Sequence, residues 1–98
     1  MRIENDRYYI VRSDNAGVFF GKISMISQNE VTMTDVRKLW YWEGACAVEQ
    51  LALEGTKEPD NCLFTVVVPE ITVMNVAQIL SCTEEAAKNL SEVYEWRK

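Results

Sequence analysis

The sequence predicts one α+β domain with an antiparallel sheet of about five strands and two helices. Its 98 residues, 48% hydrophobic and 26% charged, have the size and composition of a single globular domain. Short segments rich in aromatic and β-branched residues alternate with clusters of turn residues, as they do in hairpins. Two further segments repeat apolar residues at helical spacing. We therefore treat residues 1–98 as one domain.

Five segments are expected to be strands. They cover residues 7–12, 18–23, 31–42, 62–68 and 71–80. Turn residues at 13–17 and 27–30 separate the first three, which are therefore expected to form hairpins. Gly21 within the second strand predicts a bulge or a close approach by another backbone or a ligand.

Two helices are expected. The first spans about 45–54 and ends at Gly55, which is placed to be its C′ residue. The second follows Thr83, a suitable N-cap, and begins with acidic residues that the helix dipole favours. We expect Trp96 to fold back onto the domain. The second helix is predicted to pack through one face, which carries Ala86, Ala87, Leu90, Val93 and Tyr94.

A possible internal repeat lies in the same segments. Residues 30–36 and 70–76 align without a gap, and each is followed by a helix. This alignment predicts two strand-strand-helix units, at about 18–55 and 62–94. Chance similarity is the open alternative, because Val, Ile and Thr are common in all strands.

Composition disfavours several functions. The net charge of −5 argues against a general nucleic-acid binder, which needs a basic surface for phosphates. The absence of histidine removes the commonest general base and metal ligand, so we predict no catalytic residues, metal or cofactor, and no enzyme. The three cysteines lie in apolar surroundings, which is typical of reduced thiols in a cytoplasm. No apolar leader or long apolar run predicts export or membrane association.

The stretch from 37 to 42 is the best candidate for a ligand site. Arginine supplies bidentate phosphate contacts and aromatic rings stack on planar groups, so the combination suits a small anionic ligand such as a nucleotide. The alternative is that the aromatic residues simply pack under the helices. The candidate ligand residues are Arg37, Lys38, Trp40, Tyr41 and Trp42.

The first helix carries a second candidate surface. Cys46 and Leu53 fall on its polar side, among Glu49, Gln50 and Glu54. Apolar residues on a face that should be solvated can mark a contact with another subunit. We therefore predict a homo-oligomer with Cys46 and Leu53 at its interface.

Several segments carry a resemblance that periodicity alone does not generate. They are 17–23 (GVFFGKI), 36–45 (VRKLWYWEGA), 50–52 (QLA), 54–57 (EGTK) and 61–65 (NCLFT). In these segments the sequence resembles a family of small phage and prophage proteins that carry a domain of unknown function. The resemblance covers nearly the whole chain. It implies a viral or prophage origin and a place in the host cytoplasm, and it implies no activity or functional residues.

Two functions follow as hypotheses. The first is a non-enzymatic binding protein that sequesters a nucleotide-type signalling ligand and thereby counters a host defence. The second is an acidic inhibitor or adaptor that acts on a host protein, because 15 acidic residues outnumber 10 basic ones. The acidic residues are dispersed along the chain, which weakens the second hypothesis.

Overall fold

A computed structural model describes residues 1–98 and shows six strands and two α-helices. In chain order the elements are β1 (Tyr9–Ser13), β2 (Gly17–Ser27), β3 (Glu30–Tyr41), α1 (Val48–Glu54), a short 3₁₀ turn (Pro59–Asn61), β4 (Leu63–Phe64), β5 (Val68–Val73), β6 (Val76–Ser81) and α2 (Glu84–Glu92). Neither helix has the length and apolar character needed to cross a membrane.

All strand pairs are antiparallel, which confirms the predicted α+β class. The strands lie in the order β4–β3–β2–β1–β6, and β5 also pairs with β3. β3 is 12 residues long, so its outer edge has room for both partners. β5 pairs with its first half, where Val31 lies opposite Val73, and β4 pairs with its end, where Leu39 lies opposite Phe64.

The predicted number of strands was one too low, because the segment 71–80 forms two strands. The chain turns at Met74 and Asn75, and Asn75 has a left-handed φ of 56°. β5, before this turn, pairs with β3, whereas β6, after it, pairs with β1 on the far side of the sheet. The expected strand at 62–68 is also shorter, because only Leu63–Phe64 pairs with β3 before the chain leaves the ladder.

The turn between β5 and β6 curls the sheet. It connects β5, which pairs with β3, to β6, which pairs with β1, and hydrogen bonds tie it to the turns at both ends of β2. The Val76 N–H donates to the Asn29 carbonyl over 2.9 Å, and the Ser13 hydroxyl donates to the Met74 carbonyl over 2.7 Å. The strands β5 and β6, on opposite sides of the sheet, are thereby brought together.

The curled sheet separates two hydrophobic cores. Alternation along β1 and β2 sends neighbouring residues to opposite sides, as a strand requires. One core lies on the side away from the helices and contains Tyr9, Val11, Phe19, Ile23, Val31, Met33, Val36 and Val73. The other lies under the helices and includes Ile10, Phe20, Leu39, Leu51, Phe64, Cys82, Ala86 and Leu90.

Gly21 lies at a bulge between β2 and β3, as predicted. The register shifts between Phe20 and Lys22, and a Cβ on Gly21 would come within 2.9 Å of the Thr34 carbonyl and the Val36 backbone. Glycine is therefore required here by close approach of β3. On the facing strand, Asp35 adopts a φ of 47° in the same irregular region.

The helix ends follow the sequence closely. α1 begins at Val48, three residues later than expected, and ends at Gly55, whose N–H donates to the Leu51 carbonyl over 2.9 Å. The Thr83 side chain caps α2 by accepting from the Ala86 N–H over 3.0 Å, as predicted. Tyr94 was wrongly placed on the packed face of this helix: it lies beyond the helix end and is 86% exposed.

The aligned segments of the proposed repeat lie mainly in β3 and β5, which pair with each other. The repeat stays a prediction.

Candidate functional site

The five candidate ligand residues lie at the end of β3 and directly after it, but they do not converge on one point. Successive side chains of a strand point to opposite faces of the sheet. Arg37 and Leu39 face the helices, whereas Trp40 contacts the C-terminal segment of the chain. The stretch is therefore divided between a buried side and an exposed one.

Arg37 is on the buried side, with only 1% of its surface exposed. Its Nε donates to the Thr65 carbonyl over 3.0 Å, and its Nη1 donates to the carbonyls of Leu90 and Val93 over 3.0 and 2.9 Å. The last carbonyls of a helix have no partner within it, so Arg37 satisfies the end of α2 and joins it to β3. The side chain is not brought to the exposed aromatic residues.

No carboxylate accepts a hydrogen bond from Arg37. Burial lowers the pKa of Arg37, and the negative charge of Glu95 acts in the opposite direction. The guanidinium carbon lies 5.4 Å from the centre of the Phe64 ring, which adds a cation–π contact. One guanidinium nitrogen, Nη2, is buried and has no hydrogen-bond partner.

Lys38 points to the other side of β3. Its backbone N–H donates to the Thr65 hydroxyl over 2.8 Å, and its Nζ lies 5.8 Å from the centre of the Phe19 ring. The side chain is half-buried and forms no ion pair within 4 Å. Its positive charge is therefore not neutralised by a neighbouring carboxylate.

Trp40 is 56% exposed and lies against Trp96, with ring centres 4.9 Å apart and planes inclined by 35°. Trp96 is held in place because its N–H donates to the Phe64 carbonyl over 2.8 Å, and the adjacent Glu95 forms a parallel bridge with Phe64. The expectation that Trp96 folds back onto the domain is confirmed. Trp40 and Trp96 form the tryptophan surface.

Charged groups surround this surface. Arg97 Nη2 lies 2.7 Å from the Glu95 carboxylate, and this hydrogen-bonded contact lowers the pKa of Glu95. The Val67 N–H also donates to Glu95, over 3.4 Å, which fixes the C-terminal segment against the loop before β5. The terminal Lys98 follows directly and is exposed.

The other two aromatic residues of the run behave differently. Tyr41 is 43% exposed, and its hydroxyl donates to the Glu43 carboxylate over 2.6 Å, which raises the pKa of Tyr41. Trp42 is half-buried and packs against the core under the helices. Trp42 therefore behaves as the alternative expects, because it packs against the core and is not presented to a ligand.

Sequence reasoning did not include Trp96 among the candidate site residues. The available signals were a third tryptophan close to the end of the chain and the basic residues that follow it. Its pairing with Trp40 depends on how the segment after α2 returns to β4, and no local pattern indicates that return.

The candidate interface residues Cys46 and Leu53 are both exposed. The expectation that all three thiols lie in apolar surroundings is wrong for Cys46, which is exposed. Cys46 precedes α1, which begins at Val48. Cys62 and Cys82 are buried. Burial raises the pKa of the Cys82 thiol to about 12.

Comparison with known proteins identifies a family. A family model described as a domain of unknown function, DUF6948, matches residues 6–90. No curated protein and no solved structure matches the chain.

Proposed function

The chain belongs to the DUF6948 family of domains of unknown function, and we propose from its geometry that it is a non-enzymatic binding protein for a planar anionic ligand of nucleotide type. The observation that carries the proposal is the exposed ring of Trp40, which packs on the half-buried Trp96 and so presents a large aromatic surface that a ligand can reach.

The tryptophan surface supplies the contacts that a base needs. Stacking of a base on an aromatic side chain is worth about 1–3 kcal/mol and tolerates any base, because every base has a π-face. Trp40 and Trp96 pack on each other, so a base can stack only on a ring face that this contact leaves open. Tyr41 extends the exposed aromatic area along β3.

Basic groups supply the contacts for a phosphate. Lys38 is two residues before Trp40 on the same strand, so their Cα atoms are about 7 Å apart along one face. Arg97 and Lys98 follow Trp96 in the chain. Because Arg97 is paired with Glu95, Lys38 and Lys98 are the cations left for a phosphate. These few local cations suit one small anion, whereas the net charge of −5 opposes binding of long nucleic acids.

The biological role we propose is sequestration. We infer a phage or prophage origin from the sequence resemblance, and a phage protein that holds a host signalling nucleotide without consuming it weakens the defence that the nucleotide triggers. The protein then acts in the host cytoplasm. A homo-oligomer, with Cys46 and Leu53 at its interface, belongs to the same proposal, and both residues are exposed as an interface requires.

A thermal-shift panel with mono-, di- and cyclic nucleotides tests the ligand class. A ligand that binds only the native state raises the melting temperature by mass action. We expect one class to raise it in the wild type and in Met25→Ala, and to have no effect in Trp40→Ala. Met25 is an exposed apolar residue of β2, near the opposite end of the sheet, and is therefore a matched control.

Two outcomes overturn parts of this proposal. If no nucleotide shifts the wild type at millimolar concentration, the ligand class is wrong. If Trp40→Ala and Met25→Ala respond alike, the site is wrong. Recovery of the ligand intact after incubation supports binding without turnover, and a cleaved ligand contradicts it.

A host protein is the second candidate partner. The observation that favours it is the number of large apolar side chains left in solvent, among them Trp40, Leu53 and Tyr94. A partner captured from host lysate by the wild type and by Met25→Ala, but not by Trp40→Ala, supports docking on the tryptophan surface. Equal capture by all three proteins contradicts that docking.

A further inference from the structure

A pocket of about 210 Å³ lies on the helix side of β3, away from the tryptophan surface. It opens between the irregular region of β2 and β3 and the end of α2. Its walls are formed by Tyr8, Phe20, Asp35, Arg37, Val67 and Ser91. None of these residues except Arg37 was singled out by the sequence.

Arg37, which lines this pocket, carries an unusual group. Its Nε and Nη1 are bound to three backbone carbonyls, and these bonds fix the plane of the guanidinium. Its Nη2 is buried and donates to no protein atom. Buried polar groups almost always have a partner, so an unpartnered N–H pair on a cation points to a group that the protein itself does not supply.

We propose that this pocket binds a singly charged oxyanion, a carboxylate or a phosphodiester, through Nη2 of Arg37. Ser91 lies in the same wall, and we assign its hydroxyl as the second donor. A guanidinium held by its other nitrogens is preorganised for an oxygen acceptor, because the direction of its free N–H bonds is already set.

The charges around the pocket select a single negative charge. The Asp35 carboxylate lies 3.6 Å from Nζ of Lys22, so these two side chains neutralise each other. Arg37 is then the positively charged group in the wall that no carboxylate contacts, because its three acceptors are backbone carbonyls. A dianion would place its second charge near Asp35 without a further cation.

The remaining wall suits an organic group attached to the oxyanion. The rings of Tyr8 and Phe20 are stacked, with centres 4.9 Å apart and planes inclined by 15°. Nζ of Lys22 lies 5.5 Å from the centre of the Tyr8 ring and makes a cation–π contact with it. A free inorganic ion would leave this apolar wall uncovered. The inference does not depend on the function proposed for the tryptophan surface.

The test measures the melting temperature with dimethyl phosphate, acetate and inorganic phosphate, each against sodium chloride at equal ionic strength. At ten times its dissociation constant, a bound probe raises the melting temperature of a domain of this size by about 5–10 °C. We expect this rise with dimethyl phosphate or acetate and a smaller one with inorganic phosphate at pH 8. Which of the two monoanions gives the larger rise distinguishes a phosphodiester from a carboxylate.

Two variants connect any rise to the pocket without removing Arg37. Ser91→Phe fills the pocket from an exposed helix position, and Ser91→Ala removes only the second donor. We expect Ser91→Phe to abolish the rise in melting temperature and Trp40→Ala to leave it unchanged. Ser91→Ala should weaken the affinity for the probe several-fold and so give a smaller rise. An equal rise in Ser91→Phe overturns the site, and no rise with either monoanion in the wild type overturns the ligand chemistry.

Discussion

Arg37 and Trp40 are three residues apart on one strand, yet they have opposite surroundings. Arg37 is 1% exposed and donates hydrogen bonds to α2 and to the loop before β5. Trp40 is 56% exposed, and the aromatic ring that it contacts is Trp96, in the C-terminal segment. A basic residue lies in the core, and a tryptophan lies in solvent. This is the reverse of the usual partition of these side chains.

The difference shows how a strand divides a sequence motif. Residues that are adjacent in the chain alternate between faces, so a compact motif of basic and aromatic residues does not make a compact site. The face of β3 under the helices holds the fold together. The opposite face contributes Val31, Met33 and Val36 to the second core, and only its last part, at Trp40, is exposed.

Arg37→Ala should have the largest effect on stability. It leaves three buried carbonyls without a donor and opens a space under α2. We expect the free energy of unfolding to fall by about 3 kcal/mol, measured by urea denaturation. Lys38→Ala, on the other side of the strand, is the matched control and should lose less than about 1 kcal/mol. Equal losses in the two variants would contradict the division.

Asn89→Ala tests the link between the two helices. Its side chain accepts from the Thr56 N–H over 2.8 Å and donates to the Thr56 carbonyl over 3.0 Å, so it pairs with the backbone directly after α1. We expect a loss of about 2 kcal/mol in urea denaturation. Lys88→Ala, at the adjacent exposed position of α2, should change stability little. A loss of similar size in Lys88→Ala would contradict the assignment of the effect to the contact with Thr56, because alanine has the highest helix propensity and cannot itself weaken α2.

Thr83→Ala removes the N-cap of α2. The Thr83 oxygen accepts from the Ala86 N–H, and its hydroxyl donates to the Leu53 carbonyl over 2.8 Å. We expect a loss of about 1 kcal/mol, and recovery of most of it in Thr83→Ser, which keeps the oxygen. Thermal unfolding measures both. A Thr83→Ser variant as unstable as Thr83→Ala would show that the methyl group matters more than the cap.

Alkaline pH should weaken the core under the helices. The folded state raises the pKa of Cys82 from 9.0 to about 12, so the unfolded state loses its proton first. The contribution of Cys82 to the free energy of unfolding is therefore fully present below about pH 9. It falls as the pH rises toward 12, by about 1 kcal/mol at pH 10. Cys82→Ala has no thiol at this position and should lack this loss. The difference in free energy of unfolding between the wild type and the variant should therefore change above pH 9. Parallel curves would contradict the raised pKa.

The sequence was sufficient for elements that depend on local chemistry. The cap at Thr83, the helix end at Gly55 and the bulge at Gly21 all follow from the conformations that these residues favour. The strand break at Asn75 was missed, because the apolar residues on both sides continue one pattern while each half pairs with a different strand. Pairing partners are a property of the whole sheet.

The candidate site was predictable only in part. The run of aromatic residues indicated where exposed rings would occur, and Trp40 and Tyr41 are exposed. The sequence did not indicate that Arg37 would be buried against α2, because its acceptors are 28 to 56 residues away. For the same reason it did not indicate Trp96 or the pocket at Arg37, whose walls come from distant parts of the chain.

The most direct test of the division is Trp40→Ala, measured by urea denaturation and by the nucleotide thermal-shift panel. Loss of the ring contact with Trp96 should lower the free energy of unfolding by only about 1 kcal/mol, and the response to nucleotide should disappear. A loss of stability as large as that of Arg37→Ala, or an unchanged nucleotide response, would show that the tryptophan surface is part of the fold and not a binding site.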